Sequence, residues 1–155
     1  MAGPLHIVFL GCGFITRVHS RQLRSFTGDL VCSYASRDQA KAETFRQEHG
    51  GRRSYGDYAS AITDPGVDAV VIAGAGRHFS AGADIREFGQ TVAGPSLPDI
   101  VDRIEKATKP VVAALHGTVA GGALELALGC HYRVAESGAQ LSLPEVTLGI
   151  LPGAG

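Results

Sequence analysis

The chain has 155 residues, 45% of them hydrophobic and 19% charged, with a formal net charge of −1. That length holds one ordinary domain or two very small ones. The near-neutral charge excludes a general attraction to nucleic acid or membrane surfaces. Cys12, Cys32 and Cys130 are odd in number and widely spaced. They therefore suit buried thiols in a reducing cytoplasm better than a disulfide framework or a thiolate metal site. The apolar run His6–Leu10 is too short for a signal peptide or a membrane span.

In chain order, Leu5–Leu10 reads as a buried strand that ends in glycine. Gly11–Gly13 turns into a helix with Ile15, Val18 and Leu23 on its apolar side. Leu30–Ala35 is a second strand. Asp38 can cap a helix that runs to about His49 and buries Ala40, Ala42 and Phe45. Asp57 can cap a short helix ending near Asp64-Pro65-Gly66, and Val67–Ala73 is a third strand. This β-α-β-α-β order predicts an α/β fold with a mainly parallel sheet.

After a glycine-rich loop, Ser96 and Asp99 have the spacing of a capping box. The helix they open should end before Lys109-Pro110, with Ile100, Ile104 and Ala107 inward. Val111–Leu115 is a strand, and Gly121-Gly122 opens an apolar helix, Ala123–Leu128. Tyr132–Ala135 and Gln140–Leu143 are short extended pieces.

Two chemical signatures meet at the strand Asp68–Ala73. The first is Gly11-Cys-Gly-Phe-Ile-Thr16, between a strand and a helix. Glycines at Gly11 and Gly13 permit a tight turn and let backbone approach a pyrophosphate on the helix N-terminus, with Phe14 and Ile15 following. Thr16 stands where a third small residue is usual, which predicts looser helix–strand packing. At the end of the second strand, Ser36 and Arg37 suit a 2′-phosphate better than a free ribose hydroxyl, which favours NADP. Arg37 reads equally as a solvated turn residue.

Together with Tyr55-Gly-Asp-Tyr58 and Asp64-Pro-Gly-Val-Asp68, these residues resemble the N-terminal part of the glucose–fructose oxidoreductase and inositol dehydrogenase family. That family's proline-containing cofactor loop and Glu-Lys-Pro motif do not follow. The resemblance implies nucleotide binding without hydride transfer.

The second signature runs from about Ala69 to Gly155. It comprises Gly74-Ala-Gly-Arg-His-Phe-Ser-Ala-Gly-Ala-Asp-Ile85, Lys109-Pro-Val-Val-Ala-Ala114, Gly121-Gly-Ala-Leu-Glu-Leu126, Gly129-Cys-His-Tyr-Arg-Val134 and Leu143-Pro-Glu-Val146. It resembles the enoyl-CoA hydratase (crotonase) family, truncated at both ends, so the fold should continue as a partial crotonase-like β/α spiral. The resemblance assigns Ala83 and Gly122 as backbone donors to the thioester oxygen, and Glu125 and Glu145 as the acid–base pair. It places Ala81, Asp84 and Ile85 along the CoA adenine pocket and implies no cofactor for hydration. Relatives form oligomers, so a homo-oligomer is expected. As isolated residues, Glu125 also reads as a helix-surface position and Glu145 as an exposed turn acid. His78, His116 and His131 lack metal-ligand spacing, and no metal is expected.

The organisation expected is a Rossmann-like half over residues 1–72 and a crotonase-like half over 73–155, packed as one α/β domain. Three functions stay open. They are hydration of a 2-enoyl-CoA, an NADP-binding module without turnover, and a fusion of two family fragments with no selected activity.

Overall fold

The computed structural model describes residues 3–26, 28–82 and 94–153. Ala83, Asp84 and Ile85 lie outside them. Six strands form one parallel sheet in the order β3-β2-β1-β4-β5-β7. They are β1 (Leu5–Leu10), β2 (Leu30–Ala35), β3 (Ser54–Tyr55), β4 (Ala69–Ala73), β5 (Val111–Leu115) and β7 (Tyr132–Ala135). A separate parallel pair joins β6 (Thr118–Ala120) to β8 (Gln140–Ser142). The helices are α1 (Phe14–Leu23), α2 (Gln39–His49), α3 (Tyr58–Thr63), α4 (Leu97–Glu105) and α5 (Gly122–Gly129).

Side chains alternate across each strand, so one sheet makes two cores. On one face Ile7, Phe9, Val71 and Ala73 meet Ile15 of α1 and Ala42 and Phe45 of α2. On the other, Val8, Val70, Val111 and Ala113 meet Ala61 of α3 and Leu124 and Ala127 of α5. A parallel sheet covered on both faces needs near-continuous apolar strands, which β1 and β4 supply. β4 pairs with β1 on one side and β5 on the other, so hydrogen bonding runs unbroken through the segment that the two signatures share.

The local signals form as expected. Asp38 accepts from the Lys41 N–H at 3.2 Å and Asp57 from the Ser60 N–H at 2.8 Å. Ser96 and Asp99 close a reciprocal capping box. Several expectations are corrected. β4 starts at Ala69 rather than Val67, because Val67 N–H closes the preceding turn on the Asp64 carbonyl. Ala40 is exposed, so only Ala42 and Phe45 of that predicted trio are buried. Ile100, Ile104 and Ala107 are only partly buried, and α4 has no fully buried residue. Thr16 does not loosen the packing. It is fully buried, and its hydroxyl donates to the Gly11 carbonyl at 2.7 Å, closing the turn.

Asp64 ties the end of α3 to its surroundings. It accepts from the Tyr55 hydroxyl at 2.7 Å and the Gly66 N–H at 2.8 Å, and pairs with Arg53. These donors, Tyr55 first, hold its carboxyl well below the usual range. A depressed carboxylate stabilises the fold above its unfolded pKa, about 3.9, and that contribution is lost as pH falls through the folded value. Asp64→Asn should cost about 1 kcal/mol at neutral pH and less at pH 3, as read from urea unfolding at the two pH values. An equal loss at both would assign its effect to shape rather than charge.

Candidate acyl-binding site

The loop after β4 is held by backbone bonds to the β5–β6 segment. Phe79 N–H donates to the His116 carbonyl at 2.9 Å, and Ala120 N–H to the Ser80 carbonyl at 3.1 Å. The His78 imidazole accepts from Thr118 N–H, and His116 Nε2 lies 3.1 Å from the Gly76 carbonyl oxygen. His131 accepts from the Val111 N–H, so these three histidines are engaged in the fold. Gly82 has φ +101, and a Cβ there would lie 2.9 Å from the Ala120 carbonyl oxygen, so only glycine fits.

This loop forms one wall of a cleft of about 380 Å³, which Gly74, Phe79 and Gly82 share with Leu97, Gly122 and Leu126. Gly122 begins α5. The first N–H groups of a helix lack intrahelical acceptors, and Gly121 offers no side chain to cap them. Leu124 N–H is taken by the Gly121 carbonyl at 2.8 Å, which leaves the Gly122 and Ala123 N–H groups, among the described residues, to face a developing negative charge that the helix dipole also favours.

Gly121 has φ +56 and ψ −137, a conformation that side chains rarely adopt. A Cβ at this position would lie 3.0 Å from Oε1 of Glu145. Glu145 stands in the short 3-10 helix Pro144–Leu148 and is 8% exposed, not the exposed turn acid that its sequence setting also allowed. Its Oε2 is buried with no hydrogen-bond partner among the described residues. Leaving a buried acceptor unpaired costs about 1–3 kcal/mol, so something else must favour its retention.

Glu125 is also buried, at 7% exposure, and is not a surface residue of α5. It lines a neighbouring cavity of about 160 Å³ with Val101, Leu128, Gly129 and Leu143. Gly122, Ala123 and Leu126 of the same helix face the larger cleft. Thus the structure sets Glu145 against Gly121, next to the cleft-lining Gly122, and Glu125 in a separate cavity. Ala81 precedes Gly82 and is exposed. Sequence reasoning missed Gly82 and Leu97. Gly82 lies inside the quoted loop motif, but Leu97 reads only as a helix start.

The glycine turn after β1 has a different environment. A Cβ on Gly11 would lie 2.7 Å from the Ala73 carbonyl oxygen, and one on Gly13 only 2.3 Å from the Ala75 Cα. Ala75 therefore takes the space through which a pyrophosphate would approach Gly13. Ser36 is buried, and its hydroxyl accepts from the Asp38 N–H at 3.2 Å. Ile15 is buried in the helix–sheet core, Phe14 is 66% exposed and Arg37 is exposed. These residues do not fit a dinucleotide at this turn.

Fold and site together define an α/β protein with a parallel sheet and a glycine-walled cleft beside a buried carboxylate. Over residues 58–155 the chain belongs to the enoyl-CoA hydratase/isomerase family, and over residues 5–92 to an oxidoreductase family with an NAD-binding Rossmann fold, the two matches overlapping. It is 58% identical over 95 residues to a peroxisomal bifunctional enzyme of Danio rerio, covering 61% of this chain and 13% of that enzyme. It is 47% identical over 98 residues to a probable enoyl-CoA hydratase of Bacillus subtilis (strain 168), covering 59% of this chain and 38% of the relative. A solved enoyl-CoA hydratase from Thermoplasma volcanium GSS1 superposes with a TM-score of 0.55 at 37% identity, covering 61% of this chain and 40% of that one. The chain thus spans well under half the length of these relatives.

Two outcomes follow from this geometry. Gly121→Ala should destabilise the chain by about 1–3 kcal/mol, read as a lower urea midpoint at unchanged slope. A neutral effect would mean that the Gly121–Glu145 contact is not tight. NADPH in large excess should leave the melting temperature unchanged, since only a ligand of the native state raises it. A clear shift would show that Ala75 yields the crevice.

Proposed function

We propose that the cleft binds the thioester end of an acyl-CoA and hydrates a 2-enoyl-CoA. The observation that carries this is the Glu145 carboxylate, buried against Gly121, the residue before the cleft-lining Gly122, with Oε2 unpartnered among the described residues. A water molecule held there would complete its hydrogen bonding and stand beside the reacting double bond.

In hydration, water oxygen bonds to the β-carbon and gives its proton to a carboxylate. The electron pair of the double bond moves toward the thioester, and the α-carbon takes a proton from a carboxylic acid. No electrons are lost and no cofactor is consumed. Charge grows on the thioester oxygen as the β-carbon is attacked. Gly122 N–H, at the start of α5, supports that oxygen, and by family resemblance Ala83 supplies a second N–H. Each such donor lowers the barrier by on the order of 3 kcal/mol. Glu145 serves as base, and the family resemblance gives Glu125, which lines the adjoining cavity on the helix that Gly122 opens, the second acid–base role. The relatives named as enoyl-CoA hydratases support this assignment, as does the continuous sheet that carries the cleft. The match of residues 5–92 to a family with an NAD-binding Rossmann fold supports a dinucleotide role, and the packing of Ala75 against Gly13 counts against it.

Glu145→Gln keeps the shape and removes the base. It should lower hydration of crotonyl-CoA by at least about a hundredfold while leaving the melting temperature within a few degrees. Glu125→Gln should lower it similarly. Unchanged turnover in both variants, followed by loss of the thioester absorbance, would refute the proposal.

A further inference from the structure

α1 and α2 lie on the same face of the sheet. Near the start of β2 the space between them is unfilled, a cavity of about 350 Å³ over Leu30, Cys32 and Tyr34. Ser20 on α1 and Gly50 at the end of α2 border it and are too small to close it. Two polar links bridge the helices beside this space. Arg17 pairs with the Glu48 carboxylate, and Arg24, just after α1, donates to the Glu48 carbonyl at 2.7 Å. The cavity sits toward the amino edge of the parallel sheet, away from the edge that carries Gly74 and the acyl cleft.

His49, the last residue of α2, also lines this cavity. Its side chain is 3% exposed, and neither ring nitrogen has a hydrogen-bond partner among the described residues. Nε2 stands 3.9 Å from the Glu48 carboxylate, beyond hydrogen-bond reach. A neutral imidazole carries one donor and one acceptor, and leaving both buried and unpaired opposes folding. The nearby hydroxyls do not help. Tyr34 donates to Ser20 at 2.9 Å, and Ser20 donates to the Thr16 carbonyl at 2.6 Å.

The charges around His49 are mainly positive. Arg17, Arg21 and Arg24 act on it from α1 and the turn that follows, and the acid beside it, Glu48, is already paired with Arg17. Burial first, then the arginines, hold the imidazole below its ordinary pKa. From β2 it meets the Cys32 thiol and the Tyr34 phenol, which burial raises to about 11 and about 12, so both are neutral. Asp29, in the turn before β2, is exposed.

We infer that this cavity binds a small monocarboxylate with a compact apolar body, its carboxylate between Arg24 and His49 and its body against Leu23, Leu30 and Tyr34. A positive field and an unpartnered imidazole select an anion. A guanidinium and a protonated imidazole give two charge-assisted donors, one for each oxygen of a carboxylate. The walls beyond are mainly apolar, which favours a hydrocarbon body and leaves the further oxygens of a phosphate without donors. The volume is within the usual range for small-molecule sites, about 300–1,000 Å³. An anion here offsets the arginines, so His49 takes up a proton as the ligand binds. Affinity therefore rises as pH falls. None of this depends on the acyl-CoA reading of the other cleft.

The test is calorimetric titration of the whole chain with benzoate, with benzamide and inorganic phosphate as controls. Benzoate should bind saturably, and at least about threefold more tightly at about pH 6 than at about pH 8. Benzamide has nearly the same shape without the charge and should bind at least about tenfold more weakly. His49→Phe keeps an aromatic ring against Tyr34 and Phe45 and should abolish the pH dependence. Arg24→Gln should weaken benzoate at least about tenfold at both pH values. One readout needs no substitution in the cavity during binding. Saturating benzoate should raise the titration midpoint of the His49 ring proton in NMR spectra, its signal assigned as the one that His49→Gln removes.

Absence of saturable benzoate binding overturns the site. So does an affinity that ignores pH, or one that survives both substitutions. An unmoved His49 midpoint overturns it even where a variant fails to fold. Phosphate that displaces benzoate at equal concentration also overturns it, and reduces the arginines to a general anion surface.

Discussion

Between Gly13 and Ala75 there is no room for a side chain, and much of the site depends on that contact. It presses the turn after β1 onto the loop after β4, at the carboxyl edge of two adjacent strands. In an open parallel sheet this edge is where ligands enter, at the point where strand order reverses. Here the chain itself fills the approach from the β1 side. The same loop then runs to Phe79, Ser80 and Gly82, where it walls the apolar cleft. One packing contact thus closes one inherited crevice and supports the wall of another.

The cleft combines two features that seldom occur together without a use. A helix begins at Gly122 with backbone N–H groups that no side chain among the described residues caps, and a carboxylate is buried against the preceding glycine. Burying an ionisable group whose oxygen has no partner among the described residues opposes folding. Chemistry that builds charge on a carbonyl oxygen and moves a proton nearby gives such an arrangement a purpose, because donors and base are oriented before the substrate arrives. The loop that carries the wall is held by backbone bonds to residues 116–120, which makes the orientation a property of the sheet and not of one side chain.

Much of the fold was legible because its signals are local. Asp38, Asp57 and Ser96 each cap a helix through an N–H three residues on, and the apolar runs of β1, β2, β4 and β5 stand out against flanking glycine and proline. The two-residue β3 and three-residue β6 are too short to show a period, and they form because a neighbouring strand offers unpaired backbone groups. Thr16 breaks the expected small-residue pattern. Yet it packs fully, because its hydroxyl finds the Gly11 carbonyl within the same turn.

The sequence by itself determined the chemistry available: the glycine turn, the uncapped start of α5, the two glutamates and the alternation that makes a covered parallel sheet. These depend on residue type and on spacing of a few positions. Only the tertiary structure decided how that chemistry is used. It buried Glu125 and Glu145, set Glu145 against Gly121 and Glu125 in a small cavity of its own, and put Ala75 where a pyrophosphate would approach. Each of these outcomes is a contact between segments far apart in the chain. Such contacts follow from steric fit and the pairing of backbone groups across the sheet, which spacing along the chain does not encode.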